Sequence, residues 1–144
     1  MRLRLAVAEG DTGGVLLAQL TAVPGSSAVV IGGVVAYADS LKTGLLDVPT
    51  ELIAQHGSVS AECASAMALG VARRCGAELG LATTGIAGPG GARPGKPVGL
   101  AYVAVCYGAS SLVKRHEWSA DRDTNRFKSA EAALQLALAL LDPK

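Results

Sequence analysis

Hydrophobic and polar positions along the chain predict strands that alternate with helices. Stretches with the length and apolar character of strands are residues 3–8, 28–37, 79–82, 98–105 and 110–118. Stretches with helical spacing or helix-favouring residues are 15–23, 39–46, 51–55, 58–75 and 124–141. This alternation, with a closing hairpin around Gly108 and Ala109, predicts an α/β fold, namely a three-layer α/β/α sandwich with a mixed sheet. Residues 1–144 are predicted to form a single domain.

The helical stretches also predict which side chains face the core, because apolar residues recur in them at intervals of three or four. The predicted faces are Leu16, Leu17, Leu20 and Val23; Cys63, Met67, Val71 and Arg74; and Phe127, Ala130, Leu134, Ala137, Leu138 and Leu141. Asp11 or Thr12 is expected to cap the first helix, and Ser58 or Ser60 the fourth. The pair Gly32-Gly33 inside a strand predicts a bulge or a close backbone approach.

Composition narrows the class of protein. Half of the residues are hydrophobic and only 3% are aromatic, so we expect an interior of Ala, Val, Leu and Gly. The formal net charge of +1 gives no basic surface for nucleic acid. Three widely spaced Cys and two His match no zinc pattern, so we expect reduced thiols and no metal site. No apolar run is long enough to span a membrane, and we expect a cytoplasmic protein without membrane contacts.

Glycine and proline are concentrated between two of the predicted strands. The fifteen residues Thr83–Pro97 contain five Gly and three Pro. Such a loop is stiff and lets backbone N–H groups approach a ligand, and the carboxyl end of a strand is where open α/β sheets bind ligands. A long turn that merely tolerates glycine explains the composition equally well. Near the N-terminus, a strand, a glycine-bearing turn and a helix would present a positive helix end to an anion, but no GxGxxG or Walker motif accompanies them.

Several separated segments of the chain carry motifs in a fixed order: Thr12–Gly14, Val23–Ser27, Gly32–Tyr37, Gln55–Gly57 with Val59-Ser60, Thr84–Pro89, Lys96–Gly99 and Asp121–Asp123. Together they resemble the CinA C-terminal domain family, which is named from competence/damage-inducible proteins. The family contains nicotinamide mononucleotide amidohydrolases. The resemblance therefore implies a three-layer domain that hydrolyses the carboxamide of nicotinamide mononucleotide without a cofactor, giving nicotinate mononucleotide and ammonia.

The resemblance also implies a serine–lysine dyad, and this chain departs from it. Where the family usually reads Ala-Glu-Ser-Cys-Thr-Gly-Gly, residues 8–14 read Ala-Glu-Gly-Asp-Thr-Gly-Gly. Gly10 therefore stands at the nucleophile position and Asp11 at the usual cysteine, while Lys42 keeps the lysine position. Glycine has no side chain to attack an amide. An Asp11 carboxylate directed at Lys42 would favour the ammonium form, which cannot accept a proton. The helix that usually precedes the first strand is also expected to be absent, unless the true start lies upstream.

Carried over residue by residue, the resemblance implies a catalytic Lys42, with Tyr37 orienting the lysine or the ligand. It implies ligand binding by Glu9, Gly10, Thr12, Gly13, Thr84, Gly85, Ile86, Ala87, Gly88 and Arg122. Each has an ordinary structural alternative. Thr12 serves equally as a helix cap, Tyr37 as a residue packed on the core, and Arg122 as a partner of Asp121 or Asp123. The two histidines are expected to be turn and surface residues.

Three functional hypotheses follow. In the first, which we favour, the chain is a weak or inactive homologue that keeps a pocket for a nucleotide-type small molecule. In the second, it remains an amidohydrolase with a rearranged site in which Asp11, Thr12 or Ser40 acts with Lys42. In the third, it is a structural or oligomeric module, and we expect a homo-oligomer in any case.

Overall fold

A five-stranded mixed sheet forms the centre of the chain, which a computed structural model describes over residues 3–142. Met1, Arg2, Pro143 and Lys144 lie outside the described residues. The strands are β1 (Leu5–Glu9), β2 (Val30–Val35), β3 (Leu79–Gly85), β4 (Leu100–Tyr107) and β5 (Ser110–Glu117). The helices are α1 (Val15–Thr21), α2 (Asp39–Leu46), α3 (Thr50–His56), α4 (Ala61–Cys75) and α5 (Arg122–Leu141).

The strand order is β2-β1-β3-β4-β5. The first strand pairs in parallel with β2 and β3, whereas β4 pairs antiparallel with β3 and β5. One core joins the sheet to α2 and α4, and a second core joins it to α1 and α5. The predicted three-layer α/β/α fold with a mixed sheet is therefore confirmed.

Side-chain size differs between the two faces of the sheet, and the helices complement it. The strands place small residues such as Ala6 and Ala8 toward α4, which contributes the larger Met67 and Val71. On the other face the strands place Leu and Val side chains, and α5 contributes four buried alanines: Ala130, Ala132, Ala133 and Ala137. Large residues on one layer meet small residues on the next, so both interfaces pack closely.

This complementarity explains why some predicted helix faces were wrong. Phe127 and Leu138, predicted to face the core, are 54% and 67% exposed. The sheet already fills the space beneath α5 with Leu and Val side chains, so alanine occupies the buried face. Val23 is 60% exposed because α1 ends at Thr21, and Arg74 is also exposed.

Gly33 allows β2 to lie against β1, as the glycine pair predicted. A Cβ at Gly33 would lie 2.6 Å from the carbonyl oxygen of Val7. The register between the two strands also shifts, because Leu5 pairs with Val30 and Ala6 with Gly32. The bulge and the close approach are therefore both present.

Several helices and strands begin or end at residues other than those predicted. Residues 26–28 form a 3₁₀ turn, so β2 begins at Val30, and β3 continues through Thr83, Thr84 and Gly85 before the loop starts. Ser60 caps α4 by accepting from the N–H of Cys63, and Asp121 caps α5, which begins at Arg122. None of the helices described between residues 3 and 142 is both long and apolar enough to cross a bilayer.

Candidate functional site

A cavity of about 430 Å³ opens where the carboxyl ends of β1, β2 and β3 meet. Its wall consists of the turn after β1, the start of α2, the segment before α4, the glycine loop and the first residue of α5. The lining residues are Gly10, Asp11, Tyr37, Asp39, Lys42, Gly57, Ser58, Val59, Thr84, Gly85, Ile86, Ala87, Gly88, Gly90, Gly91, Arg93, Pro94, Lys96 and Arg122. This is the edge of the sheet at which open α/β folds bind ligands.

The structure brings most of the predicted site residues together at this cavity. Gly10, Asp11, Tyr37, Lys42, Thr84–Gly88 and Arg122 all line it. Glu9, Thr12, Gly13 and Ser40 are not part of the wall. The predicted site residues therefore form one cluster around the cavity, apart from these four, which do not line it.

Glu9 and Thr12 form a buried network beneath the cavity. The Glu9 carboxylate is 1% exposed and accepts hydrogen bonds from the N–H groups of Leu16 and Leu17, at 2.8 and 3.1 Å. The Thr12 hydroxyl donates to Glu9 at 2.7 Å and lies 2.6 Å from the Thr83 hydroxyl. Glu9, rather than Asp11 or Thr12, supplies the side-chain acceptor for the start of α1. The anion predicted at this helix end is thus the protein's own glutamate.

Lys42 lies on α2 with its side chain almost completely buried. Its Nζ donates to the backbone carbonyl of Tyr37 at 3.3 Å and lies 3.5 Å from Oδ1 of Asp39. Within residues 3–142 the ion-pair partner of Lys42 is therefore Asp39 and not Asp11. Lys42 is 4% exposed and lines the cavity, and the contacts with the Tyr37 carbonyl and with Asp39 position its Nζ there.

Arg122 connects the glycine loop to Tyr37. One terminal nitrogen donates to the Gly88 carbonyl at 2.8 Å, and the other donates to the Tyr37 hydroxyl at 3.2 Å. Tyr37 is 63% exposed, so its ring does not pack on the core, and Arg122 forms no ion pair with Asp121 or Asp123 among the described contacts. Both side chains stand at the mouth of the cavity.

The glycine loop is held from behind by Asn125, which the sequence analysis did not single out. Its buried amide donates to the carbonyls of Ala87 and Ala120, both at 3.0 Å. Thr84, near the end of β3 where the chain enters the loop, donates to the carbonyl of Ser58 on the opposite wall at 2.6 Å. These side-chain hydrogen bonds hold the loop in position, and its backbone forms one wall of the cavity.

Asp11 places a carboxylate in the cavity wall. Burial raises its pKa from 3.8 to about 6, although its own backbone and the charges of Arg126, Arg122 and Lys42 oppose this. Arg126 holds the turn by donating to the backbone carbonyls of Asp11 and Thr12, at 2.9 and 3.2 Å. Arg126 was missed, although its spacing of four from Arg122 puts both arginines on one side of α5.

Gly10 leaves the nucleophile position open without a distorted backbone. Its N–H donates to the Thr83 carbonyl at 2.9 Å, which continues the β1–β3 pairing. A Cβ added here would lie 3.1 Å from that carbonyl oxygen and 3.7 Å from Oγ1 of Thr84. The position therefore accepts a small side chain if the neighbouring strand gives by a few tenths of an ångström.

Two further cations on the wall, Arg93 and Lys96, were not among the predicted site residues, although Lys96 begins one of the segments that carry the resemblance. They face each other across a tight turn through Pro94 and Gly95, with backbone hydrogen bonds of 2.9 and 2.8 Å in both directions. Gly95 has φ of 75°, which suits a turn with proline before glycine. The Lys96 ammonium also donates to the His56 carbonyl at 2.6 Å. The proline-glycine pair between two basic residues was the signal available in the sequence.

The charges of the wall suit an anionic ligand. Its cationic residues are Lys42, Arg93, Lys96 and Arg122, and its acidic residues are Asp11 and Asp39. Arginine and lysine donors around a glycine-lined wall are the groups that bind phosphate in proteins. Within residues 3–142 no three His, Cys, Asp or Glu side chains gather to hold a metal ion. Neither histidine lines the cavity, and the three cysteines are free thiols.

Comparison with known proteins agrees with the fold and the motifs. The sequence profile of the CinA C-terminal domain matches residues 1–141. The CinA-like protein of Citrifermentans bemidjiense is 48% identical over 132 residues, which cover 92% of this chain and 32% of that protein. The CinA-like protein of Acidobacterium capsulatum is 46% identical over 132 residues, with the same two coverages. The chain thus spans about a third of the length of these curated relatives.

Solved structures show the same architecture. The competence/damage inducible protein CihA from Agrobacterium tumefaciens superposes with a TM-score of 0.95 at 37% identity, covering 97% of this chain and 86% of that one. The competence damage-inducible protein A (ComA) from Klebsiella pneumoniae superposes with a TM-score of 0.93 at 34% identity, covering 99% and 89%. Sequence and fold agree over nearly the whole chain, which belongs to the CinA C-terminal domain family.

Proposed function

We propose that the cavity binds a phosphate-bearing nucleotide-type ligand and that the chain lacks the serine amidase chemistry of its family. The observation that carries this proposal is the composition of the wall. Lys42, Arg122 and the glycine loop converge on the cavity, yet Gly10 offers no side chain at the nucleophile position. Binding groups are therefore present where the attacking group is absent.

The cationic side chains support the phosphate part of the proposal. Arg93 and Lys96 stand on one rim, and Arg122 stands at the mouth beside Tyr37. A guanidinium group can bind a phosphate through two parallel hydrogen bonds, and an ammonium group adds a compact charge. The cavity volume of about 430 Å³ lies in the range of pockets that hold small molecules.

The missing nucleophile supports the second part. A serine–lysine dyad needs a hydroxyl beside the lysine, and Thr12 does not supply one because it is buried and bonded to Glu9. Ser40 does not line the cavity. Loss of a nucleophile usually lowers the rate by several orders of magnitude while binding persists.

Three proteins test the proposal: the wild type, Gly10→Ser and Gly10→Ala. Nicotinamide mononucleotide is the probe, with binding measured by calorimetry and hydrolysis by ammonia release. We expect all three to bind, only Gly10→Ser to gain hydrolysis, and Gly10→Ala to control for the added Cβ near Thr83. Wild-type turnover at a rate ordinary for enzymes, about 1 per second or faster, would refute the loss of activity. Absence of binding in the wild type would refute the ligand pocket.

A second candidate function, hydrolysis with Asp11 as general base, is favoured by one observation. Burial brings the pKa of Asp11 to about 6, close to the neutral range in which a general base is effective. Asp11 would then take a proton from water as the water attacks the carbon of a bound amide, and return it to the nitrogen as the C–N bond breaks and ammonia leaves. Asp11→Asn tests it: if the wild type hydrolyses an amide and the variant does so equally well, Asp11 is not the base.

A further inference from the structure

Two basic residues face each other on the rim of the cavity. Arg93 and Lys96 exchange backbone hydrogen bonds of 2.9 and 2.8 Å across the turn at Pro94 and Gly95, and both line the cavity. Residues that are directly opposed in an antiparallel pair project their side chains to the same side, with Cβ atoms about 5 Å apart. The turn therefore places two positive side chains next to each other beside the space for a ligand.

This arrangement of like charges is unfavourable in the free chain, because cations at opposed positions of a strand pair repel each other. Within residues 3–142 neither Arg93 nor Lys96 forms an ion pair with an acidic residue. Asp39, an acid of the same wall, is paired with Lys42 instead. An anionic group supplied by a ligand would relieve the repulsion, so the turn has the charge of an anion-binding position.

The ammonium group of Lys96 is held in place where α3 ends. It donates to the carbonyl of His56 at 2.6 Å. A Cβ at Gly57 would overlap Nζ of Lys96, so the lack of a side chain at Gly57 makes room for the ammonium group. An ammonium group has three N–H donors and a guanidinium group has five. The bond to His56 uses one of them, which leaves Lys96 and Arg93 with donors for a phosphate.

Arg122 is a second centre of positive charge on the wall, and it is held by different residues. It donates to the carbonyl of Gly88 at 2.8 Å and to the hydroxyl of Tyr37 at 3.2 Å, whereas Lys96 is held at the end of α3. A cavity of about 430 Å³ is roughly 9 Å across if it is taken as a sphere, so neighbouring phosphate groups of one ligand can reach both positions. The wall is thus suited to two anionic groups at once.

We propose that the turn between Arg93 and Lys96 is a second phosphate position, and that the cavity selects a nucleotide with two linked phosphate groups over one with a single phosphate. This inference rests on the proposed function, because it concerns the ligand of that site. Linked phosphates occur in dinucleotides and in nucleoside diphosphates. Either ligand would place one phosphate near Arg122 and the next one at the turn.

Nicotinamide mononucleotide and nicotinamide adenine dinucleotide are suitable probes, because they share one half and the dinucleotide adds a second phosphate with adenosine. Near pH 7.5 the phosphate of the mononucleotide carries about two negative charges, and the two phosphates of the dinucleotide carry the same charge between them. The comparison therefore reports where the charge is bound rather than how much charge there is. Adenosine diphosphate is the third ligand, and it carries linked phosphates without the nicotinamide riboside.

Dissociation constants would be measured by calorimetry at constant ionic strength for the wild type, Arg93→Gln and the control Arg74→Gln. The control removes the same charge from an exposed position near the end of α4, outside the cavity wall. In the wild type we expect the dinucleotide to bind more tightly than the mononucleotide. Arg93→Gln should weaken the dinucleotide about tenfold, as loss of a hydrogen bond to a charged group does, and the mononucleotide less than about threefold. Arg74→Gln should behave like the wild type.

Adenosine diphosphate distinguishes the two sources of linked phosphates. If it binds and also loses about tenfold in Arg93→Gln, the linked phosphates alone are recognised, whereas if it does not bind, the ligand is a dinucleotide. A wild type that binds the mononucleotide but not the dinucleotide would overturn the inference and leave the ligand pocket intact. An equal loss of both ligands in Arg93→Gln, or no loss of either, would do the same. If neither nicotinamide nucleotide binds the wild type, the proposed function fails and the second phosphate position fails with it.

Discussion

Removing the Asp11 charge should make the folded chain less sensitive to pH, and the effect can be worked out from the structure. Burial raises the pKa of Asp11 from 3.8 to about 6 in the folded chain. Between these values the folded chain binds more protons at this residue than the unfolded chain does. The free energy of unfolding therefore falls as the pH rises from about 4 to about 6, and the loss is complete above that range.

The size of the loss follows from the difference between the two pKa values. A difference of about two pH units, at about 1.4 kcal/mol each, corresponds to about 3 kcal/mol. Asp11→Asn removes the titrating group while keeping the shape of the side chain. Its amide adds a contribution that does not change with pH, so the informative quantity is the difference in unfolding free energy between variant and wild type at several pH values.

Urea unfolding followed by Trp118 fluorescence, at constant ionic strength, measures this difference. Relative to the wild type, Asp11→Asn should gain about 3 kcal/mol of stability between about pH 4 and about pH 8. The control Glu131→Gln removes an exposed carboxylate in the middle of α5, away from the cavity wall, and its difference from the wild type should stay nearly flat. A flat difference for Asp11→Asn as well would show that burial does not penalise the ionised carboxylate.

Three other substitutions test contacts that support the site, each by urea unfolding. Glu9→Ala leaves two α1 backbone N–H groups without their acceptor and should cost about 2–4 kcal/mol; a cost below about 1 would contradict the capping role. Gly33→Ala places a Cβ 2.6 Å from the Val7 carbonyl and should cost about 1–3 kcal/mol, so unchanged stability would mean that the two strands separate easily. Ser129→Ala removes the acceptor 2.9 Å from the Trp118 indole N–H and should cost about 1–2 kcal/mol with a changed emission; an unaltered spectrum would argue against that bond.

The layers of the fold could be predicted because residues close together in the sequence determine each strand and helix. Short apolar runs gave the strands, the glycine pair gave the bulge in β2, and Ser60 gave the start of α4. The buried face of α5 could not be read the same way. Most of its buried residues are alanines, whereas the larger apolar residue Leu138 is exposed. A pattern that ranks positions by the size of their apolar side chains therefore points to the wrong face of the helix. Which face is buried depends on the size of the strand side chains beneath it, and that is a property of the assembled sheet.

Some residues of the candidate site could be predicted from the sequence, and others could not. The resemblance located Lys42, Arg122 and the glycine loop, and the structure places all of them around one cavity. It also suggested Glu9 as a ligand-binding residue, but that carboxylate is used inside the protein to cap α1. Arg126 was missed because its contacts join residues more than a hundred positions apart. The predicted homo-oligomer stays a prediction.

The two departures at the turn after β1 are adjacent, and their consequences can be considered together. Gly10 offers no side chain at the position where the resemblance implies the nucleophile, whereas Asp11 adds an oxygen that is buried without a partner among the described residues. An ionised Asp11 lowers stability by about 3 kcal/mol near neutral pH, which is the cost that remains after its own backbone and the charges of Arg126, Arg122 and Lys42 have offset part of the burial penalty. The two residues therefore affect different properties of the chain: Gly10 determines which side-chain chemistry the turn can offer, and Asp11 determines how the stability of the fold depends on pH.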